Sequence, residues 1–196
     1  MEKEPELDSF KKTKYWKYMI SKIDEIDRER ISFNTEFLAL LNNSTDEMAL
    51  VLKCHLIIEH YIDQYITVAF PSIIDIEKMN LRFATKIEMI NNPNTSFGFY
   101  YKSLKQFNKL RNKFAHNLEY KIKNQDIEEM IHIMNAWNDA GGDTRTEGAE
   151  LVKQYSMWFC SSLYSTMNII KKESKELGVS GYIKWMKKMI TEEILT

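Results

Sequence analysis

Residues 99–118 read Phe99-Tyr100-Tyr101-Lys102-Ser103-Leu104-Lys105-Gln106-Phe107-Asn108-Lys109-Leu110-Arg111-Asn112-Lys113-Phe114-Ala115-His116-Asn117-Leu118. On a helical wheel at about 100° per residue, Leu104, Phe107, Leu110, Phe114 and Leu118 gather on one side. Such an amphipathic helix is incomplete alone, because its apolar stripe needs a partner to cover it. No segment alternates apolar and polar residues with period two, so the partners are helices rather than strands. Only 6 Gly and 3 Pro occur in 196 residues, so few breakers interrupt the pattern. The 11 Met and the plentiful Leu, Ile, Lys and Glu favour helix as well. The fold class is all-α, a helical bundle.

Working outward, a first helix is predicted over 10–30, capped by Asp8 or Ser9, with Tyr15, Met19, Ile23 and Ile26 at helical spacing. Phe33, Phe37, Leu38 and Leu41 either continue it or form a separate turn. Ser44-Thr45-Asp46-Glu47 reads as a capping box. The helix it opens runs to Phe70, where Pro71 stops it. A shorter helix covers 75–90 and ends at Asn91-Asn92-Pro93-Asn94. After 99–118 come a helix over 125–139, a break at Gly141-Gly142, and a long helix over 147–177. Gly178 and Gly181 bracket a turn before a last helix over 182–194. The length suits one domain, residues 1–196.

Composition narrows the class. Charged residues are 28% and hydrophobic residues 44%, which fits a globular chain rather than a disordered one. The net charge of −1 removes any global positive field and leaves room only for a local basic groove. Cys54 and Cys160 stand apart with no CxxC spacing, which argues against a disulfide scaffold and a structural zinc site. The first five residues, Met1-Glu2-Lys3-Glu4-Pro5, have no apolar signal core. The longest uncharged run, 154–170, is polar in part and shorter than the ~20 apolar residues that span a bilayer. The expected location is the cytoplasm.

Arg111 falls inside the apolar stripe of 99–118, with Asn108, Asn112 and His116 on its flank. An inward arginine needs an anion, because an unpaired buried charge costs several kcal/mol. The helix over 45–70 offers two. Its polar sector holds Lys53, His60, Gln64 and Thr67, while Glu59 and Asp63 lie outside it among Leu52, Leu56 and Ile66. Glu59, or else Asp63, is therefore expected to meet Arg111 across a helix contact. Arg111→Ala is then expected to cost more stability than His116→Ala, because it strands a carboxylate. A purely structural ion pair fixing helix register explains the same pattern.

Arg111-Asn112-x-x-x-His116 near a helix end, together with Leu52-Lys53-Cys54-His55-Leu56-Ile57-Ile58-Glu59 on an earlier apolar helix, resembles the HEPN superfamily. The resemblance covers about 44–120 and leaves 125–196 as a C-terminal helical extension. It implies a metal-independent endoribonuclease with Arg111 and His116 as catalytic pair, Asn112 as the polar residue after the arginine, and Glu59 as the supporting acid. The toxin branch of the superfamily often carries a tyrosine two positions past the histidine. Leu118 stands there in this chain, and Tyr120 comes two residues later. The phrase Arg-Asn-x-Phe-Ala-His is also similar to mannitol-repressor-type regulators, which act by binding partners.

The chemistry implied is attack of an RNA 2′-hydroxyl on its neighbouring phosphate, leaving a 2′,3′-cyclic phosphate. Histidine suits the proton transfer and arginine the phosphorane charge. Asn112 lies one turn before His116 and can orient the imidazole or donate to the phosphate. One His and one Arg make a thin site, and the resemblance implies a homodimer that doubles the set. No cofactor is expected. RNA is the expected partner, with an antitoxin or regulatory protein as a second, in a toxin–antitoxin or phage-defence setting.

Other features read more plainly. His55-x-x-x-Glu59-His60 hints at a metal site, but His60 faces away from His55. His132 among Met130, Ile131 and Met134 reads as a packing or surface histidine. Tyr155, Trp158, Phe159 and Tyr164 could stack bases, although at helical spacing they read as core or interface. Lys184, Lys187 and Lys188 beside Trp185 form a small basic amphipathic patch.

Overall fold

The structure is a computed structural model that describes residues 17, 21, 23–41, 46–70, 79–91, 96–138 and 147–191, with 23, 25–27, 96, 136–138 and 173–191 described through their backbone alone. Asp8, Ser9, Tyr15, Met19, Ser44, Pro71 and Gly141-Gly142 lie outside the described residues, as do the side chains of Ile23, Ile26, Lys184, Trp185, Lys187 and Lys188. Among the described residues every regular element is a helix: α1 (Ile23–Leu41), α2 (Glu47–Ala69), α3 (Phe83–Ile90), α4 (Ser96–Phe99), α5 (Tyr101–His116), α6 (Asn124–Asn138) and α7 (Gly148–Thr191). The all-α bundle expected from the periodicity is what forms.

Helices α2 and α7 make the most extensive contact, and α1 and α6 flank α7. Helix α5 packs on α2 and α6, and the short α3 wedges against both α2 and α5. The apolar positions of each helix meet in one core: Val51, Cys54, Ile58 and Ile62 of α2, Leu104, Phe107, Leu110 and Phe114 of α5, and Val152, Tyr155, Phe159 and Leu163 of α7 are all buried. Two polar groups are satisfied inside it. The Ser103 hydroxyl and the Tyr155 phenol share a 2.8 Å hydrogen bond, which removes the cost of burying either alone. Cys54 and Cys160 are both buried and unbonded. Burial pushes the Cys54 thiol up to about 11 and raises the Cys160 thiol too.

Several boundaries differ from the sequence reading, each for a local reason. Helix α1 runs through Phe33 and Phe37 to Leu41, because their burial against the bundle outweighs the charged stretch before them. The cap of α2 is Asp46 rather than Ser44: its carboxylate accepts from the Ala49 N–H at 2.7 Å, as an N-cap side chain should. Of the helix expected over 75–90, residues 75–78 lie outside the described residues; Asn80 takes φ 47° and α3 begins only at Phe83. Asparagine is among the few residues that tolerate that left-handed backbone. Helix α5 stops at His116, so Leu118 lies beyond the stripe and is 77% exposed. Helix α7 passes straight through Gly178 and Gly181, where a turn was expected. Each glycine costs about 1 kcal/mol in a helix interior, and the Lys, Glu, Leu and Met around them keep the helix going. Among the described residues no helix is long and apolar enough to cross a membrane.

Candidate functional site

The buried polar centre lies where α2, α3 and α5 meet. Helix α3 buries Phe83, Ile87 and Ile90, and Lys86, three residues after Phe83, falls on that same face. Lys86 is 7% exposed. Its Nζ donates to Glu59 Oε1 and to Asp63 Oδ2, both at 2.8 Å. Burial alone would lower the Lys86 pKa; the two carboxylate bonds more than offset that and raise it. The acids expected to hold Arg111 are therefore held by Lys86. Glu59 and Asp63 sit one turn apart on α2, and the wedge of α3 brings an ammonium between them.

Arg111 is half-buried and donates from Nη1 to Asn112 Oδ1 at 3.0 Å. Among the described residues no carboxylate pairs with it. The expected Glu59–Arg111 or Asp63–Arg111 pair is thus replaced by two separate contacts, Lys86 on both acids and Asn112 on the arginine. The stability ranking changes accordingly. Lys86→Met strands two carboxylates that keep partial access to water, and is expected to cost about 2 kcal/mol. Arg111→Ala is expected to cost under about 1 kcal/mol. Urea unfolding of the two variants checks this, and an Arg111→Ala loss equal to that of Lys86→Met would refute it.

His55 completes the buried centre. It is 3% exposed, its ring lies 4.2 Å from Phe83 and 5.8 Å from Phe107 between centroids, and its Nδ1 is 3.9 Å from Glu59 Oε2. Burial, and next the charge of Arg111, press its pKa down to about 4, while Glu59 and Asn108 pull the other way. His60 by contrast is exposed and bonds Gln64 at 2.9 Å. Among the described residues no group of three His, Cys, Asp or Glu side chains is placed to hold a metal ion.

His116 occupies the last turn of α5 and is exposed. Asn112, four residues earlier, is exposed, and i, i+4 spacing puts it on the same face of the helix as His116. Arg111, Asn112 and His116 are thus brought to one end of α5. Tyr120 is not part of that group. Its hydroxyl donates to Asp126 Oδ2 at 2.6 Å, and its ring packs edge-on against Phe114. Asp126 is 4% exposed and also receives the Lys113 ammonium and the Lys123 N–H. Burial would raise its carboxyl pKa, but the bonds from Lys113, Tyr120 and Lys123 hold it below the usual range. This knot fixes the α5–α6 turn, a structural role for Tyr120.

Tyr155 and Phe159 are fully buried core residues and present no face to a base. Trp158 carries the Arg30 guanidinium 4.8 Å over its ring, and Tyr164 packs on Phe33 at 5.3 Å. His132 is exposed.

The outer face of α5 borders an open groove of about 480 Å³ against α6, with Lys102, Lys105, Lys109 and Lys113 on the α5 wall and Asp126 and Glu129 on the α6 wall. The lysine spacing of three, four and four residues is written in the sequence, whereas the docking of α6 beside it is not. No family model matches this chain, and no curated protein or solved structure matches it.

Proposed function

We propose that this chain is a HEPN-type endoribonuclease that cleaves RNA without a metal ion. The observation that carries the reading is the placement of His116, open to solvent one turn beyond an asparagine that holds a half-buried arginine. In the proposed reaction an imidazole takes the proton of the 2′-hydroxyl, the 2′-oxygen bonds to phosphorus, and the bond to the 5′-oxygen breaks. The leaving oxygen takes a proton from a second imidazole, supplied by a second copy of the chain in a homodimer. The Arg111 guanidinium receives the charge on the phosphorane oxygens. Because Glu59 and Asp63 are occupied by Lys86, that guanidinium can turn to a phosphate without breaking a carboxylate pair. The setting proposed is phage defence or a toxin–antitoxin pair, in the cytoplasm.

The test is incubation of purified protein with mixed RNA in EDTA. Fragments ending in 2′,3′-cyclic phosphate and 5′-hydroxyl are expected. An inactive wild type across structured and unstructured RNAs would leave the regulator resemblance, a non-catalytic interaction module, as the better account.

A further inference from the structure

Helix α5 contains five cations, Lys102, Lys105, Lys109, Arg111 and Lys113, and no carboxylate in its 16 residues. In a chain of net charge −1, this is a marked concentration of one sign on one element. On the helical wheel Lys102, Lys105, Lys109, Lys113 and His116 share a sector of about 80°; Arg111 leaves the helix outside that sector and its guanidinium reaches back to Asn112. The four lysines rise along the helix by about 4.5 to 6 Å per step and reach His116 after about 21 Å. They line the α5 wall of the open groove, whose α6 wall carries Asp126 and Glu129, so lysines outnumber carboxylates four to two.

We propose that this groove is a track for the phosphates of one unpaired RNA strand, which it feeds to His116; the assignment rests on the nuclease reading above. Lysine spacings of one helical turn match the separation of neighbouring phosphates in an extended strand. A single row of cations on one helix follows one backbone, whereas a duplex presents two. The reaction favours the same substrate, since in-line attack by a 2′-hydroxyl needs a backbone free to rotate. At the far end Tyr101 borders the groove, its hydroxyl fixed by Glu88 at 2.7 Å and its ring 4.8 Å beneath the Lys105 ammonium. A positioned aromatic beside a basic groove is the arrangement on which single-stranded nucleic acid stacks a base. Lys113 and Lys105 are ion-paired with Asp126 and Glu88, and Lys102 and Lys109 are exposed.

The experiment measures binding of a fluorescent, fully 2′-O-methyl single-stranded 12-mer, which cannot be cut by this route, across a salt series. The protein is the full chain, as wild type and as Lys102→Gln/Lys109→Gln. Removing two phosphate contacts is expected to reduce the slope of log affinity against log salt by about 1.4 and to weaken binding about 25-fold at 0.1 M salt. Lys102→Arg/Lys109→Arg is expected to bind like wild type, because the charge is kept. Circular dichroism should show all three folded alike, since both positions are exposed. An unchanged slope in the glutamine variant overturns the track, as does equal binding of a duplex, or equally effective competition by polyglutamate. Cleavage is scored separately: RNA cut by a wild type whose binding ignores these lysines sinks the track and leaves the nuclease reading standing.

Discussion

Replacing His116 by alanine is expected to slow RNA cleavage by about 10²- to 10⁴-fold, the usual contribution of a positioned general acid or base. The side chain is exposed at the end of α5 and lies outside the core, so the loss should come without a change in melting temperature. Arg111→Ala is expected to lose rate on a similar scale, because an arginine fork on phosphate oxygens stabilises the phosphorane. Arg111→Lys should recover only part of it, since a point charge replaces a planar pair of donors. Asn112→Ala separates two roles. If the carboxamide serves by holding Arg111 through their 3.0 Å bond, the variant should lower the rate with little change in its pH profile. A shifted profile would instead place Asn112 on the imidazole. Cleavage that survives His116→Ala at wild-type rate removes the mechanism.

The second large effect is on stability and comes from His55. Its folded pKa is depressed to about 4 from an unfolded value of about 6.5. The unfolded chain therefore binds a proton that the folded chain refuses throughout that window. Stability from the neutral, buried ring is fully present above about pH 6.5 and is lost as pH falls toward 4. At 1.36 kcal/mol per unit, the total is about 3 kcal/mol. Burial of the ring, which strips the charged form of water, is the largest cause, the Arg111 charge acts in the same direction, and Glu59 and Asn108 pull the other way without reversing it. Thermal unfolding from pH 7.5 to 4.5 should fall steeply for wild type and more gently for His55→Leu. Parallel curves for the two proteins would show that His55 is not the acid-sensitive group.

The contrast between the two histidines shows how far each kind of reasoning reaches. His116 was placed correctly on the polar flank of its helix by counting residues, because a helix fixes the angle of every side chain about its own axis. In the sequence His55 stands within the HEPN-like stretch 52–59 and a weak metal pattern, neither of which gives it a buried setting. Its actual setting depends on Phe83, which arrives from another helix 28 positions away. Lys86 tells the same story. Its position on the buried face of α3 follows from Phe83, Ile87 and Ile90 at helical spacing, and the sequence carried that signal. The Arg111 assignment used the same rule and was right that the acids Glu59 and Asp63 needed a cation, but it chose the cation from the wrong helix.

The amino-acid sequence by itself determined an all-α chain, the amphipathic α5, the half-inward Arg111 and the outward His116, since each follows from the 3.6-residue repeat of a single helix. Only the tertiary structure decided that Lys86, not Arg111, pairs with Glu59 and Asp63, and that four lysines border a groove. Pairing between helices depends on which elements touch and how closely, and two cations on different helices are equivalent until docking brings one ammonium within 2.8 Å of both acids.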